Sequence, residues 1–479
     1  MKKTITKVSI YCSLFLSLAG SAKAQMADSS TEFKPGGRLW GYTFGDLAYK
    51  GTADNIGTAA APVARGGSNQ YTGMPANANT FQLRRVYLGY NYDISPKFSA
   101  EFLLAAEDDF NNGSITEGPT GASTGDVTNG GKFTPYVKYA DIKWKNIFKN
   151  SDLKIGSQAT PSFAKTDRNE QTAEEVWGYR CVERTVSDIR RTPSFDLGAS
   201  LQGWFDKDGK YGYMLMAGNG QSAKPGTSMD KWFYGDVYAK FFNKRLIVDL
   251  YADYERLVNS TVSTGGNAWN SWGAWANPGK ATDPNGPDYE SRNMTKLFIA
   301  WNTSKLTIGF EGFQNVLLGG LKCTGTDKNT YYRTFSATDL SFYVRGRVLS
   351  AKNGDPRLNF FARYDMYDPS GGLSTVANNP SFTAIAVAPG VSNYDPFTKE
   401  QFVTFGLDYM PFKNVHIIPN VWLNTYNSSL SSTGENSNGM LYTKLGYGGA
   451  ETTGIKGTDA VYRLTFYYIY NPKQGTTKY

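Results

Sequence analysis

Short stretches in which apolar and polar residues alternate recur along the chain from about residue 36 onward, and this period of two is typical of half-buried β-strands. About sixteen such stretches are separated by connections that alternate between short and long. The short connections fall at residues 92–97, 146–151, 206–210, 242–245, 302–305, 352–356 and 412–414. The long ones cover roughly residues 50–79, 109–131, 160–193, 220–230, 258–291, 319–333, 368–397 and 427–457. This rhythm predicts an all-β fold, a transmembrane antiparallel β-barrel with short periplasmic turns and long extracellular loops.

Charged residues inside these stretches indicate which face of each strand meets lipid. A charge at the lipid midplane costs roughly 2–4 kcal/mol, so charges within a strand are expected to point into the lumen. The residues that this test places on the lumen wall are Lys154, Arg345, Arg347, Arg363, Arg463, Glu101 and Asp249. Arg84 and Arg85 do not fit this test, because they are adjacent. Strict alternation turns one of them toward lipid unless it lies near a strand end.

The N-terminus has the three parts of a secretory signal. Lys2, Lys3 and Lys7 precede an apolar run over residues 8–18, and Ala22-Lys23-Ala24 supplies the small-residue cleavage site. The apolar run is too short to span a bilayer, which needs roughly 20 residues. We therefore expect residues 1–24 to be a cleaved signal peptide, 25–35 a short segment, 36–470 the barrel and 471–479 a tail.

Composition and charge narrow the class of protein. The chain has 50 basic and 42 acidic residues, and removal of the four lysines of the signal leaves 46 against 42. This weak excess gives no support to nucleic-acid binding, which requires clustered basic residues. Aromatic residues make up 15% of the chain, while the mean hydropathy is only −0.44. A barrel wall that is apolar on alternate residues has such an average, although a soluble all-β protein could share it.

Cysteine usage leaves two possibilities open. After signal cleavage only Cys181 and Cys323 remain, and an oxidising periplasm would allow them to pair. Two unpaired thiols are equally compatible with the sequence. There is no Cys-x-x-Cys spacing and no His/Cys cluster, so we expect no metal site and no cofactor.

The third long connection, residues 160–193 (loop three), differs from the others in composition and in its pattern of apolar residues. It contains little Gly or Asn, and residues 171–191 have a helical pattern with apolar residues on one face and Arg180, Arg184 and Arg191 near another. An apolar stripe of this kind lets a helix lie against a wall. The charged residues singled out in loop three are Lys165, Arg168, Arg180, Glu183, Arg184, Asp188, Arg190 and Arg191.

These segments resemble the phosphate-selective porin family (porins O and P). The resemblance rests on residues 153–163, Cys181 to Thr185, Arg190-Arg191, residues 195–198 and 213–220, with the earlier 81–85, and it is densest over about residues 80–220. It implies a sixteen-stranded homotrimer whose third loop folds into the lumen and narrows it, with Glu183-Arg184 in the constriction. By that resemblance the charged residues singled out above are the candidate constriction residues. Their charges either pin the loop or also sort solutes by sign, and a loop that stays outside the lumen is the remaining alternative. Residues 165–191 contain as many acids as bases, unlike the arginine-rich phosphate-specific members. A general pore or one with a mild anion preference is therefore expected.

The leading functional expectation is a passive channel for small hydrophilic solutes and ions in the outer membrane of a Gram-negative bacterium. Its partners would be the bilayer, its lipopolysaccharide and two further copies of the chain, with no nucleic acid. A barrel enzyme is disfavoured, because the sole histidine, His416, lies in an alternating strand and no Gly-x-Ser-x-Gly occurs, so no catalytic residue is assigned. A surface scaffold, adhesin or secretion component remains an alternative, and loop tryptophans such as Trp269, Trp272 and Trp275 would suit it.

Overall fold

A computed structural model describes the wall of the molecule and parts of its connections. The described residues are 33–52, 55–58, 61–64, 76–107, 135–162, 194–220, 231–256, 291–371, 376, 379–387, 398–428, 441–443 and 456–470. The expected signal peptide, the helical stretch 171–191, the loop tryptophans and the tail lie outside these residues. Within the described ranges no helix is both long and apolar enough to cross a membrane.

Twenty β-strands form among the described residues. They are β1 (Gly36–Thr52), β2 (Asn55–Thr58), β3 (Ala61–Ala64), β4 (Asn79–Asp93), β5 (Phe98–Glu107), β6 (Tyr136–Phe148), β7 (Ser151–Ala159), β8 (Phe195–Trp204), β9 (Tyr211–Gly218), β10 (Trp232–Phe241), β11 (Leu246–Arg256), β12 (Ser291–Asn302), β13 (Leu306–Gly325), β14 (Thr330–Ser350), β15 (Pro356–Gly371), β16 (Phe382–Val387), β17 (Thr398–Phe412), β18 (Val415–Ser428), β19 (Leu441–Thr443) and β20 (Lys456–Tyr470). Sixteen of them make the wall, while β2, β3, β16 and β19 belong to long connections.

The wall closes on itself. Each wall strand pairs antiparallel with the next one along the chain. The last strand, β20, then pairs antiparallel with β1, so that Gly41 lies between Leu88 of β4 and Tyr470 of β20. Closure leaves no unpaired strand edge, as a membrane-spanning sheet requires. The predicted antiparallel barrel of about 16 strands is confirmed.

The two faces of the wall differ as the alternation predicts. On β10 the side chains of Trp232, Tyr234 and Asp236 are buried on the inner face, whereas Phe233 and Val237 are 45% and 49% exposed on the outer face. Exposed leucine, valine, phenylalanine and tyrosine side chains recur at outward positions on the other wall strands. An outer surface of this kind suits a hydrocarbon surrounding, in which exposed apolar side chains carry no hydration cost.

All seven predicted short turns are present, and each joins two paired neighbouring strands. One predicted long connection is wrong. Most of residues 319–333 belong to β13 and β14, and only Thr326–Asn329 remain as a tight turn. A bulge between Leu317 and Leu321 interrupts the alternation there, with Gly319 at φ +69°, and this made the segment resemble a loop in the sequence.

A second bulge explains the adjacent arginines. Phe44 of β1 pairs with Arg85 and the next residue, Gly45, pairs with Leu83, so Arg84 is an extra residue in β4. The bulge reverses the alternation at this point, and both arginines are buried on the inner face. Both arginines therefore face inward although neither lies near a strand end, which strict alternation would have required of one of them.

The turn between β8 and β9 is organised by one carboxylate. Asp206 accepts hydrogen bonds from the backbone N–H groups of Asp208 (3.2 Å), Lys210 (2.8 Å) and Tyr211 (3.0 Å), while Gly209 supplies the left-handed conformation at φ +63°. Burial opposes the charged form of Asp206, but these N–H donors together outweigh it and hold its pKa below the usual value.

Asp206→Ala is expected to lower the free energy of unfolding at neutral pH by roughly 1 kcal/mol, the net value of a hydrogen bond of this kind. A carboxyl with a lowered folded-state pKa stabilises above its unfolded pKa and loses that effect as pH falls through the folded pKa. In urea unfolding the gap between variant and wild type should therefore close as the pH falls below the ordinary pKa of an aspartate. Asp208→Ala, in the same turn, is the control, and a gap independent of pH would contradict this role.

Candidate functional site: the inner wall of the barrel

The predicted wall residues lie on strands at inward positions. Lys154, Arg363 and Arg463 are 3–4% exposed, Glu101 is 7% and Asp249 is 0% exposed. Lys154 bridges Asp141 (3.2 Å) and Glu101 (3.4 Å), and Arg363 pairs with Asp365 at 2.6 Å.

The two remaining wall arginines lie toward the end of β14 at which the short turns join the strands. Arg345 is half-buried and donates to Thr307 Oγ1 at 3.0 Å. Arg347 donates to the carbonyls of Ser304 (2.7 Å) and Gly354 (3.1 Å), which belong to two neighbouring turns. Arg347 is therefore held at the rim and ties two turns together.

The candidate residues of loop three, from Lys165 to Arg191, lie outside the described residues, but the start of the loop is described. After β7 ends at Ala159, Thr160 and Ser162 are 0% and 1% exposed. Lys296 Nζ, on the inner face of β12, donates to the Ser162 carbonyl at 2.5 Å and lies 3.4 Å from its Oγ.

This contact places the start of loop three inside the barrel. β7 and β12 are five strands apart, roughly 24 Å along the wall at 4.8 Å per strand. Three residues of extended chain from Ala159 reach only about 10 Å. Ser162 meets Lys296 by leaving the wall and entering the lumen.

Three glycines lie in a row on the wall beside this loop. Gly156, Gly198 and Gly218 pair in register across β7, β8 and β9, at inward positions. A Cβ at Gly156 or Gly198 would overlap the backbone of an adjacent strand, and one at Gly218 would overlap the Asp196 carboxylate, which lies over that glycine. These positions therefore require glycine, because no side chain fits there.

Lys296 has further contacts on the inner wall. Its Nζ lies 3.4 Å from the Glu311 carboxylate and 5.4 Å from the centre of the Tyr251 ring. Sequence reasoning missed this residue, although the same alternation test applies: Met294, Lys296 and Phe298 are buried and their neighbours Thr295 and Leu297 are more exposed.

A buried charge cluster lies at the seam where the barrel closes. Asp46 of β1 pairs with Arg463 of β20 at 3.0 Å and with Arg84 of β4 at 3.4 Å, and all three side chains are fully buried. Thr465 donates its hydroxyl to the same carboxylate, and the Arg463 guanidinium lies 4.1 Å from the Trp422 ring centre. One carboxylate thus holds two arginines from two other strands on the inner face.

Further cationic side chains pack against aromatic rings beside this seam. Arg85 lies 5.9 Å and 5.8 Å from the ring centres of Phe44 and Tyr87, and Lys138 lies 5.0 Å from Tyr87. Such cation–π contacts stabilise a positive charge without neutralising it. The seam region is therefore locally basic.

Charge is unevenly distributed over the inner wall. Among the described residues thirteen acidic and nine basic side chains are buried, not counting His416. Strands β8 to β14 carry six of the acids and only two of the bases: Asp196, Asp236, Asp249, Asp253, Glu311, Asp339, Lys240 and Lys296. The remaining wall carries seven of each, namely Asp46, Glu101, Asp141, Asp152, Asp365, Asp408, Asp459, Lys50, Arg84, Arg85, Lys138, Lys154, Arg363 and Arg463. Among the buried side chains alone, the β8 to β14 side of the wall is therefore acidic and the other side balanced, while the half-buried Arg345 and Arg347 add two positive charges to β14.

Two other candidate residues have structural settings. His416 Nδ1 lies 2.8 Å from the Asp408 carboxylate, and its ring packs on Tyr467 with 5.0 Å between centres. Cys323 of β13 is fully buried, and its suggested partner Cys181 lies outside the described residues, so their pairing stays a prediction. Within the described ranges, no three His, Cys, Asp or Glu residues are grouped so that they could hold a metal ion.

Comparison with known proteins finds a similar fold in solved structures but no related sequence. No protein-family model matches this chain, and no curated protein gives a significant match. The outer membrane channel DcaP of Acinetobacter baumannii is similar over 93% of this chain and 100% of its own, at 9% identity and a TM-score of 0.51. An anion-selective porin from Comamonas acidovorans is similar over 91% of this chain and 100% of its own, at 10% identity and a TM-score of 0.47.

At such identities the likeness concerns the fold alone. The resemblance to the phosphate-selective porins stays a prediction from the sequence. The chain forms a closed antiparallel β-barrel of sixteen strands, and this is the fold that it shares with the channel DcaP.

Proposed function

We propose that this chain is an outer-membrane porin through which small hydrophilic solutes and ions diffuse down their gradients. The observation that carries the proposal is a closed wall with apolar side chains outside and charged side chains, thirteen acidic and nine basic, at inward positions. Charges of both signs on the inner face are typical of a channel wall and would be costly in a packed apolar core. A barrel of sixteen strands is wide enough to hold an aqueous channel.

Loop three is the element proposed to set the size limit. The bond from Lys296 to Ser162 supports this, because it draws the start of the loop into the lumen. Its charged residues, Glu183 and Arg184 among them, would then meet passing solutes. Charges held between low-dielectric walls focus the potential at a constriction.

We propose in addition that the channel has the mild anion preference predicted from the sequence. The described wall alone would favour cations, since buried acids outnumber buried bases there. An anion preference therefore requires that positive charges dominate locally, at Arg84, Arg85 and Arg463 on the seam and at the arginines of loop three, whose acids and bases are equal in number.

Single-channel recording in planar bilayers tests both parts. We expect steady conductance, and under a potassium chloride gradient a reversal potential of the sign given by chloride preference. Arg184→Gln and Arg345→Gln are each expected to move it toward cation preference, because each removes one positive charge from the lumen. Arg347→Gln is the control, since that guanidinium is held at the rim by turn carbonyls.

The possible outcomes separate the parts of the proposal. A folded, reconstituted protein without conductance would overturn the channel and favour a surface scaffold, adhesin or secretion component. Conductance with a cation-selective reversal potential would overturn the anion preference alone. The homotrimer and the contact with lipopolysaccharide are also proposals, and the mass of the detergent-extracted complex tests the former. No reaction is proposed, and His416→Ala should leave conductance unchanged.

A further inference from the structure

The hairpin of β13 and β14 rises above its neighbour in the wall. Pairing of β12 with β13 stops at Ser291 and Leu318, while β13 continues to Gly325. The hairpin closes in a tight turn in which Asp327 accepts hydrogen bonds from the Tyr331 hydroxyl (2.6 Å) and the Asn329 N–H (3.0 Å). The extension lies at the end of the long connections, which is the extracellular end of such a barrel.

Two distant connections add strands to this extension. β16, from the connection between β15 and β17, pairs antiparallel with β13 from Leu321–Val387 to Gly325–Phe382, on the edge that β12 leaves open. β19, from the connection between β18 and β20, pairs parallel with β16. The result is a four-stranded sheet in the order β14, β13, β16, β19, which we call the mouth sheet.

The connection between β15 and β16 contributes a side chain to the inner face of the hairpin. β15 lies on the β14 side of the hairpin and β16 on its β13 side. Val376, from the connection between them, belongs to the same buried cluster as Phe313 and Tyr367, which face inward from the wall. Val376 therefore lies on the inner face, within the mouth.

The sheet is held by packing as well as by backbone pairing. Leu321, Cys323 and Ile385 are fully buried in that cluster. The Arg333 guanidinium lies 5.6 Å and 5.2 Å from the ring centres of Tyr331 and Phe382, so one cation joins the hairpin to β16. A segment with this much buried side-chain area is a fixed part of the mouth and not a loop tip.

We propose that the mouth sheet is a second size filter, at the extracellular mouth, that excludes bulky hydrophilic solutes before they reach loop three. This inference rests on the proposed channel function. It assigns part of the size limit to β16 and β19, which belong to connections that the sequence marks only as loops.

One-sided polymer exclusion in single-channel recording tests the filter. Polyethylene glycols of graded mass are added to one side of the bilayer, and a drop in conductance reports entry of the polymer into the pore. We expect the wild-type channel to admit larger polymers from the periplasmic side than from the extracellular side. Equal limits from both sides would overturn the filter while leaving the channel itself intact.

Ile385→Asp should undock β16, because it buries a charge in the apolar cluster. The extracellular limit is then expected to rise toward the periplasmic one. Thr383→Asp adds the same charge at an exposed position of the same strand and should leave the limit unchanged. An unaltered limit in a folded Ile385→Asp channel would refute the filter.

A covalent staple checks the docking without conductance. Cys323 and Ile385 are directly paired, and paired strand residues have Cα atoms about 4.5–5.5 Å apart, within disulfide range. Ile385→Cys in a Cys181→Ser background should form a disulfide to Cys323 on oxidation in the membrane, seen by mass spectrometry of linked peptides. The stapled channel should keep the wild-type extracellular limit. Failure of the link to form would overturn the mouth sheet.

Discussion

Asp46→Asn is expected to destabilise the barrel by about 3–5 kcal/mol, the usual cost of removing one partner from a buried ion pair. Asp46 is the carboxylate that Arg84 and Arg463 share, and neither guanidinium is exposed to water. Asparagine keeps the shape of the side chain but removes its charge. The two arginines, on β4 and β20 at either side of β1, then repel each other at the seam that closes the barrel.

Urea unfolding of the protein in lipid vesicles, followed by tryptophan fluorescence, measures this loss. Asp93→Asn is the matched control. Asp93 also forms an ion pair, with Lys145, but its side chain is 57% exposed. Exposed pairs contribute about 0–1 kcal/mol. Addition of Arg84→Gln to Asp46→Asn should recover part of the loss, since one of the two repelling charges is gone. Equal unfolding midpoints for Asp46→Asn and wild type would contradict the role of the cluster.

The wall could be predicted because its signal is local. A period of two, combined with the cost of charge in lipid, depends only on neighbouring residues, and it assigns Glu101, Asp249 and Arg363 to the inner face, where they lie. The turns are equally local, as the Asp206 carboxylate and Gly209 illustrate. These two signals suffice for the count of strands and for closure.

The parts that could not be predicted depend on residues that are far apart in the chain. The Asp46–Arg463 pair spans 417 positions, and no pattern within either strand reveals it. The bulge at Arg84 was visible as a violated alternation, but its cause lies in the pairing with β1. The mouth sheet joins β13, β16 and β19 from three separate connections, so their alternation alone gave no partner.

Lys296 is the residue whose replacement is expected to change conduction most. Lys296→Met keeps the length of the side chain but removes the donor that holds the Ser162 carbonyl. A hydrogen bond from a charged group contributes about 1.5–3 kcal/mol. Without it, the population of molecules in which the start of loop three has left Lys296 should rise roughly tenfold or more relative to the bound population. Single-channel traces should show a larger and noisier conductance, because the constriction visits wider states.

Lys240→Met separates this anchoring role from a simple loss of charge. Lys240 is also buried on the acidic side of the wall, on β10, and its removal subtracts the same positive charge. Both variants should move the reversal potential toward cation preference, but only Lys296→Met should raise conductance and its noise. If both raise conductance equally, the field of the wall controls the current and the Ser162 contact does not. If neither does, loop three is held in the lumen by contacts other than the one from β12.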